Sequence, residues 1–149
     1  MNLQVTRAEW SKNLAGLKSE LIKAADNRVK SCIKTGHHIE AIALLESMIA
    51  DRLEAGLSRK KNGKQVLSTL GPLLNESLAS GLIGEDFCLE IRNWSKERNK
   101  ILHEMVKVRG PETGNWRERM KHARKLAIEG LVIYKKLSNE IRKINRFDS

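Results

Sequence analysis

Apolar residues recur at steps of three and four along nearly the whole chain, and nowhere do they alternate as a half-buried strand requires. The clearest run is Trp116, Met120, Ala123, Ala127, Leu131, Tyr134, Leu137, Ile141 and Ile144, which predicts a helix over 113–146 with one buried stripe. A chain with this period is confined to helix-on-helix packing. Connections of only a few residues make neighbouring helices antiparallel. The expected fold is therefore all-α, an antiparallel bundle of four to five helices in a single domain over 1–149. A chain of 149 residues can bury a real core without staples.

The remaining helices follow from the same period. Thr6-Arg7-Ala8-Glu9 reads as a capping box opening a first helix, with Trp10, Leu14, Leu17, Leu21, Ala24 and Arg28 on one face and Val29, Cys32 and Ile33 extending it. Gly36 ends that helix. A second helix over 38–58 carries Ile39, Ile42, Leu45, Ile49, Leu53 and Leu57, widened by Leu44 and Met48, which suits a central element packed on two sides. A third over 65–80 is interrupted by Gly71-Pro72, where a kink or break is expected. A fourth starts near Glu85 and Asp86, buries Phe87, Ile91, Trp94, Ile101, Leu102 and Met105, and stops at Val108-Arg109-Gly110-Pro111.

Composition excludes several classes. Charged residues make up 31% and hydrophobic ones 40%, a balance that fits a soluble globular protein. No apolar run approaches the roughly 18 residues of a membrane span, and no basic region followed by an apolar stretch opens the chain. A cytoplasmic protein without a membrane partner is expected. Cys32 and Cys88 lie far apart within apolar patterns and read as buried thiols. His37 and His38 are adjacent, diverge on a helix and lack a third ligand, so they read as turn residues. No metal or cofactor is expected. The charge is lopsided: residues 1–91 carry a net +1 and residues 92–149 a net +9. Such an excess suits a polyanion, though basic helices are also simply solvated.

Arg98-Asn99-Lys100-Ile101-Leu102-His103, on the fourth helix, is where the sequence comes nearest to chemistry. Arginine is a permanent forked cation suited to phosphate. Histidine exchanges a proton near neutral pH. Asparagine can orient either. Together they suit cleavage of a ribose phosphodiester by its own 2′-hydroxyl, which needs a base and an acid but no metal. One motif offers one histidine, so two copies facing each other would complete the set. Arg98 and His103 are five positions apart, about 140° around a straight helix, and share a groove only at its edges or if the helix distorts. A second match, Arg117 to His122, lacks the asparagine and reads as accidental. Glu46, Asp51 and Arg52, beside an apolar face, read either as local ion pairs or as supports that orient the motif.

The chain resembles the HEPN (higher eukaryotes and prokaryotes nucleotide-binding) domains. The likeness rests on the Arg-Asn-x-x-x-His pattern at Arg98, Asn99 and His103. It also draws on residues 41–57, with Leu44-Leu45-Glu46 and Asp51-Arg52-Leu53, and on Thr69-Leu70-Gly71-Pro72-Leu73-Leu74 ahead of the motif helix. It covers most of 38–140. The resemblance implies a helical bundle, often a homodimer, and in many members a metal-independent endoribonuclease used in toxin–antitoxin systems, phage defence or RNA processing. Some members pair with a nucleotidyltransferase-type antitoxin. Carried over, Arg98 and His103 are catalytic and Asn99 supports them. Lys100, Lys107, Arg109, Arg117, Lys121 and Arg124 are the cations expected to meet RNA. The alternative is a non-catalytic module that binds RNA, a nucleotide or a protein through its basic C-terminal face.

Overall fold

The computed structural model describes residues 6–61, 63, 66, 68–111 and 113–147, with the backbone but not the side chains of residues 7, 8, 10 and 145–147. Among these are five helices and no strand: α1 (Arg7–Thr35), α2 (His38–Lys60), α3 (Leu70–Ala79), α4 (Glu85–Glu104) and α5 (Trp116–Phe147). None is long and apolar enough to cross a membrane.

Helix α2 is the hub, packing against all four others. Its Ile42, Leu45, Ile49, Leu53 and Leu57 are fully buried, as the broad apolar face of the sequence predicts. The ion pairs give the directions. Arg28 meets Glu40 at 2.7 Å and Lys18 meets Asp51 at 2.9 Å, so α1 and α2 run antiparallel from their turn. Glu90 pairs with Lys136 and Glu97 with His122, each at 3.2 Å, so α4 and α5 are antiparallel too. Trp94 anchors that second pair: its indole N–H donates to the Leu126 carbonyl at 2.9 Å, and its ring lies where a side chain on Gly130 would need to be.

The helix ends are set by local chemistry. Thr6 and Glu9 form the expected capping box. Gly36 closes α1 in the left-handed region at φ 86°, which a residue without Cβ adopts freely. Asn115 accepts from the Glu118 amide at 3.0 Å and caps α5.

Four expectations need correction. Gly71-Pro72 does not break a helix. Pro72 is the third residue of α3, where an amide hydrogen would have had no partner anyway, so the proline starts the helix instead. Of the residues expected to lead into it, Gln65 and Leu67 lie outside those described. Leu14, Leu17 and Leu21 are 50 to 60% exposed although they continue the line of buried Cys32, because among the described residues no other helix covers that flank of α1; Trp10 is outside the described side chains. Trp116 is exposed at the first turn of α5 instead of heading its buried stripe. Finally, α4 stops at Glu104, short of the Val108–Pro111 segment. There the Arg119 guanidinium of α5 donates to the carbonyls of Glu104, Met105 and Lys107.

Candidate active site

Helix α4 runs unbroken through the Arg98-to-His103 stretch, so the two residues diverge as the period requires. Arg98 turns inward. Its side chain is 12% exposed, it donates to Glu46 on α2, and it donates from Nη2 to Oδ1 of Asn99 at 2.5 Å. Its Nε is buried without a partner. Glu46 thus contacts the motif's arginine. Asp51 and Arg52 make local ion pairs: they meet each other at 2.8 Å, and Asp51 also holds Lys18. Burial pushes the Asp51 carboxyl up, but the bonds from Arg52 and Lys18 outweigh it and leave the group below the usual range.

His103 turns outward. It is exposed and makes no hydrogen bond or ion pair with another described residue. Asn99 lies one turn before it on the same side, and Lys96 and Lys100 flank the two. One face of α4 therefore presents an imidazole, an amide and two ammonium groups to solvent. Arg98 and Glu46 form the brace behind it. Since Arg98 spends a donor on the Asn99 carbonyl oxygen, the Asn99 amide is oriented with its own N–H donors left over.

Beyond His103 the chain folds over an open cleft of about 660 Å³ between the end of α4, the 105–115 turn and the start of α5. Lys100, Lys107 and Arg109 line it, and so do Glu97, Glu104 and His122. Three of the six cations expected to meet RNA thus converge here. Arg117, Lys121 and Arg124 do not; they are exposed on α5. His122, of the second Arg-x4-His match, pairs with Glu97 at 3.2 Å across the two helices. Among the described residues, no three His, Cys, Asp or Glu side chains are grouped as metal ligands would be.

Arg119 is the residue that sequence reasoning missed. It stands among the charged positions of α5, off the predicted buried stripe. Yet it is part-buried, and its guanidinium donates to four carbonyls: Glu104, Met105 (2.6 Å), Lys107 (2.6 Å) and Gly114 (2.9 Å). The last carbonyls of a helix lack amide partners. A forked cation can satisfy several at once and also suits the negative end of the helix dipole. Of the four acceptors, Glu104 is the last residue of α4, and its carbonyl also accepts from the Lys107 amide at 3.1 Å; Arg119 thus braces the residues that follow α4 along the cleft. No sequence signal marks it among 12 arginines.

Compared with protein-family models, with curated proteins and with solved structures, the chain matches none.

Proposed function

We propose that this chain is half of a metal-independent endoribonuclease, completed when two copies bring their α4 outer faces together. The observation that carries the reading is the exposed, unengaged His103 beside Asn99 on a lysine-flanked face. RNA is the polyanion that fits it: phosphates meet Lys96 and Lys100, and the strand continues past Lys107 and Arg109. One His103 removes the proton from a ribose 2′-hydroxyl. The oxygen attacks the adjacent phosphorus, and the His103 of the second copy protonates the departing 5′-oxygen. The Asn99 amide donates to a phosphate oxygen in the transition state. Arg98 is a positioning residue here, acting through Asn99 instead of touching phosphate. The resemblance to HEPN domains supports the reading, and a toxin or defence role follows from that resemblance alone.

The test is cleavage of end-labelled RNA in the presence of a chelator. Wild type should leave 2′,3′-cyclic phosphate ends, and His103→Ala should lose at least a hundredfold in rate. Equal rates in the two proteins would remove His103 from the chemistry. Retained RNA binding without cleavage by wild type would favour the second reading, a binding module. That reading draws support from Glu46, which already occupies the Arg98 guanidinium.

A further inference from the structure

The outer face of α5 carries a second surface whose chemistry differs from that of α4. Along it run Arg117, Lys121, Arg124, Ile128, Val132, Lys135, Asn139 and Arg142, each three or four residues from the last, all exposed. Ile128 is 39% exposed and Val132 59%, and the two stand one turn apart in the middle of the row. Cations occupy both ends. Lys125 and Lys136, at its edge, already engage Glu129 (3.9 Å) and Glu90 (3.2 Å), whereas Lys121, Arg124, Lys135 and Arg142 form no ion pair with a described residue. The row spans about 40 Å.

Ile128 and Val132 stand together at the centre of the row with cations to either side. An apolar centre with a charged rim is the anatomy of a protein interface. We infer that this face docks an acidic amphipathic helix of a partner protein, with two aliphatic side chains seated on Ile128 and Val132 and carboxylates paired to the cations on either side. The charge complementarity selects an acidic partner over a second copy of this chain, whose own face would repel it. RNA is the less suitable occupant. Base recognition relies on stacking platforms, and Trp116, the exposed aromatic among the described side chains of α5, sits about 120° around the helix from Ile128. The inference is independent of whether α4 cleaves RNA.

The probe is a labelled synthetic peptide of about 20 residues, five helical turns or so, with glutamates along one face and two leucines four apart at its centre. Its binding to the full chain is read by fluorescence anisotropy. The expected result is salt-dependent binding that weakens about tenfold for a scrambled peptide of the same composition. Val132→Asp should weaken it by a similar factor, and so should the paired change Lys121→Glu with Lys135→Glu. Circular dichroism checks the fold of each variant, and Ile128→Asn with Val132→Asn serves if the aspartate variant unfolds. Equal binding of the scrambled peptide, or indifference to both apolar variants, would overturn the inference. So would single-stranded RNA, or vesicles of anionic phospholipid, binding with the same dependence on Val132.

Discussion

Arg98 is held by two neighbours and His103 by none, so their loss should be felt differently. Glu46→Ala takes the carboxylate away from the Arg98 guanidinium, whose side chain is only 12% exposed. Removing one partner of a part-buried ion pair strands the other, and an unfolding free energy lower by about 2 kcal/mol is expected from urea titration. His103→Ala should leave that midpoint unchanged. His38 supplies a pH dependence. It opens α2, is buried, and its Nδ1 has no partner. Burial, and then the nearby positive charges of Arg124 and His37, lower its pKa. A depressed folded-state pKa means that the unfolded chain takes up the proton first on acidification. Stability is therefore complete above about pH 6.5, the ordinary value, and declines as the pH falls below it. Melting curves recorded downward from pH 7 should show this slope, and His38→Leu should flatten it.

Helix α4 is tied to α5 at several points along its length. Trp94, Glu97 and the carbonyls after His103 are all bound by α5. Arg119→Met would remove a donor from four carbonyls, leaving Glu104 with the Lys107 amide and the other three without this partner. The expected effect is a loss of roughly 3 kcal/mol and faster hydrogen exchange over 105–114, while the α2 core keeps its protection. Gly130→Val would drive atoms into the Trp94 ring, which already lies 2.7 Å from where a Cβ would stand. Overpacking of that kind typically lowers stability by about 1–3 kcal/mol, measurable as a lowered Tm. The helices themselves were legible in the sequence because period and caps are local signals. Thr6 with Glu9, Gly36 and the acidic start of α4 fall where expected. What period cannot say is whether anything covers an apolar face. Leu14, Leu17 and Leu21 have the spacing of core residues and no cover, and Trp116 likewise. Nor can it tell a capping arginine from a solvated one, because the four acceptors of Arg119 are backbone atoms 5 to 15 residues away. Pro72 was misread for a different reason: a proline interrupts a helix only if the helix already exists before it.

At the scale of the molecule, the chain divides its basic charge between two surfaces. One is the α4 face with His103, Asn99, Lys96 and Lys100, of which Lys100 also lines the cleft with Lys107 and Arg109 while His103 and Asn99 do not. The other is the long outer row of α5 with Ile128 and Val132 at its centre. The net charge of the C-terminal segment is legible in the sequence, but this division is not, because it depends on which side of each helix the core covers. Nor could it show that Arg98 points inward while His103 points outward, although their spacing implied the divergence. A single chain offers one exposed histidine on that face, and 2′-hydroxyl attack needs a base and an acid. The central claim is therefore that each chain is half a site. Mixing tests it most directly. Wild type and His103→Ala are combined at varied ratios under conditions of subunit exchange, and RNA cleavage is measured at constant total protein. A composite two-fold site predicts that activity follows the square of the wild-type fraction, about a quarter at equal mixing. Activity in direct proportion to that fraction would mean that each chain cleaves alone, and would contradict the account.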